Sequence, residues 1–453
     1  MSFLLAIFLP TILGWFIINV LKSELNNSTK IGISFPIGIG ITTFLGFIAT
    51  LLGLKYNLIL LLVIQLVAIS IIFFIQIKYS KQDIIPKFKP ENREKELWVW
   101  WLIWGIILYL LYLAIQKGAY WPITEFDSVC GYDFSAKYLV KDGTFENEMM
   151  KSRNFLNGNR YLYPPFVACL DAYGYLCNLS NNHILMTVLY FSFLVTFYGI
   201  SKNYTSIFLA SMGTLLLMIT PEMFAHATFS LANLPTALYS GLGMIVLSQY
   251  FKDRNNRTLY FSILLTGLGL WCRTDSIVFY VLSVFLLALF TFFISKNWLN
   301  LVIFACLSIL PYLMWNFFTS KILKVAASEG FIKTLAIDNE KIETISKYVY
   351  EFAIIPHQLY AISFTIFWIF LILNLKWIYK DIFSIAPLFI GSLILYAGLF
   401  YFIDGSKTGV SIKTYMEMAL KRGLFTLVPL SWYFVITSPI WDFLNIKSKE
   451  LFK

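Results

Sequence analysis

Asp127 is the carboxylate of this chain best placed to do chemistry. It follows an apolar run and the Trp121-Pro122 turn, and it opens a long polar segment between two such runs. A carboxylate there can act as a general base, taking a proton from a hydroxyl as a group is transferred to its oxygen. Aspartate also caps helices, stabilising them by about 1 kcal/mol, so an N-cap is the competing reading. Basic residues elsewhere supply complementary charge. Arg273 and Asp275 sit between the apolar runs Leu259–Trp271 and Ile277–Ile294, where ionisable groups are costly and mark function by default. The alternative for that pair is a tight turn carrying its own ion pair. Lys421 and Arg422 are either fixed cations or interfacial anchors with their stems along apolar surface. Fixed cations stabilise negative charge that develops in a reaction, and Lys137 and Arg160 are further basic candidates for such a contact.

Five cysteines without a CxxC pair and three scattered histidines (His183, His226, His357) define neither a disulfide framework nor a zinc site. His226, close to Pro221-Glu222, reads as structural or as a substrate contact. Glu329, Asp338, Glu340, Lys341 and Glu343 form a mixed-charge face without metal spacing. Gly405-Ser406-Lys407-Thr408 lacks the upstream glycine and the Gly-Lys pair of a phosphate loop, and no GxGxxG occurs. No metal or cofactor is expected to be required, although Asp127 with Glu222 could hold an ion. Tyr161, Tyr163, Pro164, Pro165 and Phe166 offer a rigid aromatic wall to a ring-shaped ligand, or else an interfacial belt.

These side chains need elements to carry them. From Ser128 to Asp142 the residues Val129, Tyr132, Ala136, Leu139 and Val140 recur at helical spacing, which predicts a helix lying along the membrane interface. On its polar face Asp133, Lys137 and Lys141 stand four apart, acid before base, as an i,i+4 ion pair requires. Around this segment the chain is 58% hydrophobic and 13% charged, against about 45–50% and about 25% in soluble proteins. Its mean hydropathy is +0.72. A soluble fold cannot cover that much apolar surface with polar groups. Disorder, a collagen-like repeat, a disulfide scaffold and a cytosolic enzyme are excluded.

Because a bilayer core needs about 20 apolar residues per helix, the chain is read as an all-α polytopic membrane protein. About 13 spans are expected, at roughly 2–21, 31–54, 57–77, 97–115, 183–200, 206–220, 236–251, 259–272, 277–294, 299–318, 358–375, 382–402 and 423–440. Several are short. The first lacks a basic lead-in and a cleavage site and is taken as a span. With the C-terminus cytoplasmic, the outer Lys and Arg gather in three long segments (116–182, 319–357 and 403–422), which the positive-inside bias governs poorly. The net charge of +10 is accounted for by that bias and by anionic lipid, so no nucleic-acid partner is expected. The expected organisation is residues 1–96 as N-terminal helices with a basic loop, 97–440 as a functional membrane domain, and 441–453 as a cytoplasmic tail.

Phe126-Asp127-Ser128, the helix with Ala136-Lys137 and its Lys141-Asp142-Gly143 end, and Tyr163-Pro164-Pro165 resemble the first outer loop of GT-C glycosyltransferases. The nearest likeness is to the group that includes protein O-mannosyltransferases and lipid A aminoarabinose transferases. Ser230-Leu231-Ala232-Asn233-Leu234-Pro235 is similar to a family segment more often reading Gly-Tyr-Ala-Asp-Leu-Pro. Gly267 to Asp275 resembles the family's Gly-rich helix ending in a basic and an acidic residue, and Arg422 with Pro429 its late Arg-Tyr-x-x-Pro-x-x-Pro element. The likeness spans roughly residues 97–440, in the family's order. Asn233 departs from the usual aspartate, and the first three spans precede the family's first helix.

The resemblance implies a GT-C-like fold and a polyprenyl-phosphate-linked sugar donor. It implies transfer with inversion to a hydroxyl of a glycan, lipid or protein at the outer face of a prokaryotic inner or plasma membrane. In it Asp127 is the base, and Arg273, Lys421, Arg422 and Lys137 meet the donor phosphate. Asp275, Tyr163, Arg160, His226, Asn233 and Glu222 surround the substrates. A transporter or flippase of lipid-linked saccharide is the rival reading; it predicts mid-membrane ionisable residues and internal pseudo-symmetry. A surface-polysaccharide polymerase or ligase is another, and it would rest on late-loop arginines.

Overall fold

The computed structural model of the protein describes residues 2–21, 25–79, 97–151, 163–179, 181, 183–324, 338–378, 383–402, 411–441 and 443. Arg160, Tyr161, Glu329, Gly405 to Thr408 and the tail beyond 443 lie outside the described residues. The described chain is α-helical; an isolated bridge between His357 and Ala361 is its one β-type pairing among those residues.

Among the described residues seven helices are long and apolar enough to cross a membrane: Phe3–Val20, Asn27–Leu51, Leu58–Lys78, Val99–Tyr120, His183–Ser201, Thr274–Ser295 and Trp298–Ile322. The protein is an integral membrane protein. The other expected spans also fall on helices, but on shorter or broken ones. Ile207–Ile219, Ser363–Leu373 and Ile385–Tyr401 are short. The span expected at 236–251 is divided into Asn233–Thr236, a wide π-type turn over Ala237–Gly241, and Leu242–Asp253. The last is interrupted by a 3-10 turn at Phe425–Leu427 before Val428–Ile436 begins.

In chain order we label α1 (Ser2–Val20), α2 (Asn27–Leu51), α3 (Leu58–Tyr79) and α4 (Leu97–Tyr120). The polar segment contributes α5 (Asp133–Asp142), α6 (Glu148–Lys151) and α7 (Phe166–Leu176). α8 (His183–Ser201), α9 (Ile207–Ile219), α10 (Pro221–Ala225), α11 (Asn233–Thr236), α12 (Leu242–Asp253) and α13 (Asn256–Cys272) follow. The last group is α14 (Ile277–Phe290), α15 (Trp298–Phe317), α16 (Asn339–Ala353), α17 (Ser363–Leu373), α18 (Leu375–Ile378), α19 (Ile385–Tyr401), α20 (Ile412–Tyr415), α21 (Lys421–Leu424) and α22 (Val428–Ile436).

The first helices are built into the bundle. In α2 72% of the apolar stretch is buried, whereas in α3 only 11% of it is, so α2 is central and α3 peripheral. Small residues let α2 approach its neighbours closely, as membrane packing favours. A Cβ on Gly38 would lie 1.6 Å from the Pro10 carbonyl oxygen of α1, and one on Gly199 of α8 would lie 2.4 Å from the Thr29 backbone nitrogen. At its other end α2 holds up the site. The Phe47 ring meets Trp271 at 5.2 Å, Phe145 at 5.5 Å and Trp315 at 5.7 Å between centroids, tying α13, α15 and the polar segment together. The turn after α2 clamps that segment: the Tyr56 backbone N–H donates to the Gly143 carbonyl at 2.7 Å and the Tyr56 hydroxyl to the Cys169 carbonyl at 3.3 Å. Gly143, at φ 70°, is the left-handed residue that ends α5, a conformation in which a glycine carries no Cβ penalty.

Gly38→Ala is expected to destabilise the protein by roughly 1–3 kcal/mol or more, because the atom it strikes is backbone. Gly105→Ala, where a new Cβ meets nothing within 4 Å, is expected to stay within about 0.5 kcal/mol. Thermal unfolding in detergent followed by tryptophan fluorescence compares the two. Equal midpoints would remove the close α1–α2 seam from the account.

Candidate functional site

The expected helix over 128–142 forms, as a wide turn over Ser128–Tyr132 running into α5. Asp133 and Lys137 make the expected i,i+4 ion pair at 2.7 Å, and Asp133 also accepts from the Tyr175 hydroxyl. Asp127 is not an N-cap. Its backbone is already helical (φ −64°, ψ −28°), and its side chain makes no capping hydrogen bond. The carboxylate reaches across to Arg422 on α21, Oδ2 to Nη2 at 2.8 Å, with both side chains about a third exposed (33% and 35%). A pair so exposed contributes roughly 0.2–1 kcal/mol. It orients the carboxylate without holding the fold.

Asp127 and Arg422 border a cavity of about 220 Å³ that Tyr163, Asn233 and Arg273 also line. Three parts of the chain thus converge: the start of the polar segment, the α11–α13 region, and the late segment 411–427. Arg273 is buried, 5% exposed, on extended backbone (φ −151°, ψ 143°) where α13 ends. One side of its guanidinium donates from Nη1 to Asn233 Oδ1 at 2.6 Å and the other from Nη2 to Asp275 Oδ2 at 2.6 Å. The Tyr163 ring lies over it, 5.6 Å from Cζ to the centroid. Arg273 and Asp275 therefore are an ion pair in a tight turn, the 3-10 turn Thr274–Ser276; Arg273 lines the cavity and Asp275 stands behind it. Asp275 accepts in addition from the Tyr396 hydroxyl of α19 at 2.9 Å.

The other expected site residues stand further back. His226 and Glu222 do not line the cavity. His226 meets Asn233 from behind, Nε2 to Nδ2 at 2.9 Å, and its Nδ1 faces Glu222 through both the backbone oxygen (2.9 Å) and Oε2 (3.1 Å). Burial alone would raise the Glu222 carboxyl above its ordinary range. His226, chiefly through its hydrogen bond, outweighs that and holds it below, with smaller help from Lys421 and Arg422. Lys421 lies on α21 but outside the cavity lining, and its carbonyl accepts from the Tyr360 hydroxyl. Lys137 is 58% exposed and outside the lining. Pro164 and Pro165 line the cavity beside Tyr163, while Phe166 is buried against Tyr239. Among the described residues no group of three or more His, Cys, Asp or Glu could hold a metal ion.

Sequence reasoning passed over Tyr132, Ser135, Asn147, Trp315 and Met418, all of which line the cavity. Gly131 and Ser135 follow Asp127 at intervals of four, so the helical spacing that placed the apolar face also marks this one. Asn147, Trp315 and Met418 arrive by tertiary packing and carry no such signal. Burial raises the Tyr132 phenol, which stays protonated as a donor. Two further residues fix the start of the segment. The Ser128 hydroxyl donates to the Ser230 carbonyl at 3.0 Å, and the Ser230 hydroxyl donates to Asp171 Oδ1 at 3.2 Å. Asp171 is fully buried, and its carboxyl is pushed well above its ordinary range by that burial and then by the nearby charge of Asp133.

One glycine keeps this geometry open. A Cβ on Gly423 of α21 would lie 1.9 Å from the Tyr396 ring, the ring that anchors Asp275. Gly423→Ala is expected to cost roughly 1–3 kcal/mol by overpacking. Adding Tyr396→Ala should recover part of that loss, since contacting sites couple. Strictly additive losses in thermal unfolding would show that the two do not clash.

The cavity thus combines one exposed carboxylate, two guanidinium groups with different degrees of burial, and aromatic walls. Such a site can accept a proton at one point and hold an anion at another. No protein-family model, no curated protein and no solved structure matches the chain.

Proposed function

We propose that this protein is a membrane glycosyltransferase of GT-C type that moves a sugar from a polyprenyl-phosphate-linked donor to a hydroxyl of a glycan, lipid or protein acceptor. The observation that carries the reading is the convergence of Asp127, Arg422 and Arg273 on one cavity, at the end of the bundle where the polar segment folds. Thirteen crossings, counting the short and broken helices, would place that end outside a prokaryotic inner or plasma membrane if the C-terminus is cytoplasmic.

In this reading Asp127 takes the proton of the acceptor hydroxyl as its oxygen attacks the anomeric carbon. The bond from that carbon to the phosphate oxygen breaks, its electron pair goes to the phosphate, and the configuration inverts. The phosphate thereby gains one negative charge, which a prearranged cation stabilises. An in-line displacement puts base and leaving group on opposite faces of the sugar. Arg422, 2.8 Å from the base, then serves chiefly to orient Asp127, and the leaving phosphate falls to Arg273. The donor supplies its own activated bond, so the step needs no nucleotide module. The lipid carrier would lie along the apolar bundle, with membrane lipid around it.

The test is the protein in nanodiscs with undecaprenyl-phosphate-linked sugar presented from one face. Release of undecaprenyl phosphate that depends on an added hydroxyl acceptor, with the opposite anomer in the product, is the expected result. Movement of intact donor between leaflets without bond cleavage would replace this reading with that of a flippase.

A further inference from the structure

The residues behind Arg273 form a hydrogen-bonded line whose polarity can be worked out from chemistry alone. A guanidinium only donates, so the atom of Asn233 that receives Arg273 Nη1 at 2.6 Å must be the carbonyl oxygen. The amide nitrogen therefore faces His226 Nε2 at 2.9 Å. An amide N–H only donates, so Nε2 must be a bare acceptor and the ring proton must sit on Nδ1. That nitrogen is the one facing two acceptors, the Glu222 backbone oxygen at 2.9 Å and its Oε2 at 3.1 Å. The three assignments, usually a matter of choice, fix one another. The imidazole is 6% exposed and packs 4.7 Å from the Phe425 ring and 5.4 Å from the Phe229 ring between centroids.

We infer that Glu222, His226 and Asn233 form a positioning relay for Arg273, in which a neutral, Nδ1-protonated His226 aims the Asn233 amide so that its oxygen holds the guanidinium at the cavity wall. This explains the residue at 233. Asparagine offers one acceptor to Arg273 and one donor to His226. An aspartate offers two acceptors, and it would satisfy His226 only if the ring carried a second proton. The charged groups acting on Glu222 are Lys421 and Arg422 on α21; His357 on the facing loop feels Glu222 in turn, and burial keeps its ring towards the neutral form. The effect on ligand binding rests on the proposed role of Arg273 as the phosphate contact; the proton assignment does not.

The experiment uses the full-length protein labelled with 15N-histidine in detergent micelles. With His226→Phe as the assignment control, the ring of His226 is expected to show a protonated Nδ1 and an unprotonated Nε2 at neutral pH. In Asn233→Asp both nitrogens are expected to be protonated at the same pH. A proton on Nε2 in the unsubstituted protein, or an unchanged ring in Asn233→Asp, overturns the relay. The positioning role is read by binding of undecaprenyl phosphate. His226→Phe keeps the ring packing on Phe425 but removes the acceptor, and it should weaken binding by about tenfold, as an unsatisfied buried N–H implies. His226→Gln, which restores an acceptor, should recover much of that loss. Full binding by His226→Phe would reduce His226 to a packing residue. Failure of the unsubstituted protein to bind undecaprenyl phosphate would overturn the positioning role together with the proposed function, while the ring protonation would still be judged on its own spectrum.

Discussion

Asp127→Asn is expected to lower sugar transfer by about 10²- to 10⁴-fold, the usual contribution of a general base, while leaving the protein folded. Stability should be spared because asparagine keeps the shape and one acceptor for Arg422. The pair it weakens is a third exposed and is worth only roughly 0.2–1 kcal/mol. The side chain also caps no helix, so no helix-start energy is lost. Turnover and thermal midpoint should therefore separate widely in this variant. Arg422→Gln tests the neighbouring claim, since an orienting partner should affect turnover less than the base it holds. Asp127→Asn with near-normal turnover would take the base away from residue 127, and with it the mechanism proposed above.

The sequence spoke most clearly where physics is local. Hydropathy located the seven described helices long enough to cross a membrane, and the spacing of Val129, Tyr132, Ala136 and Leu139 located α5 to within a turn. The Asp133–Lys137 pair and the Arg273–Asp275 pair are both short-range and both present. Asp127 was ambiguous because capping and catalysis ask for the same residue type; its helical backbone and its pairing with the distant Arg422 remove the cap, and neither is legible in local sequence. His226, Glu222 and Asn233 were visible as polar residues in apolar surroundings, but whether they face the ligand or each other is a matter of packing. Trp315 and Tyr396 were silent, since one aromatic in an apolar helix looks like any other. The place of α2 was the least legible. A run of small and apolar residues gives no hint that it is the central helix, because lipid and protein neighbours favour the same composition.

Arg273 is expected to show the other large effect, and three substitutions separate its two roles. It is buried beside a carboxylate, so Arg273→Gln leaves Asp275, among the described residues, with the Tyr396 hydroxyl and should cost about 3–5 kcal/mol, as broken buried pairs do. Loss of activity in that variant would say little by itself. Arg273→Lys keeps the charge but not the fork. A compact ammonium lacks the spread by which Nη1 and Nη2 reach Asn233 and Asp275 separately, so turnover should fall about 10²- to 10³-fold with a smaller loss of stability. Arg273→Gln combined with Asp275→Asn removes both charges and the uncompensated carboxylate. It should regain much of the stability lost in the single variant and none of the turnover. That split is what a cation acting on a developing phosphate charge requires, because neutralising its structural partner cannot replace it in the reaction. If the double variant turned over normally, Arg273 would be a structural ion pair that happens to border the cavity, and the leaving phosphate would have to be held by another group.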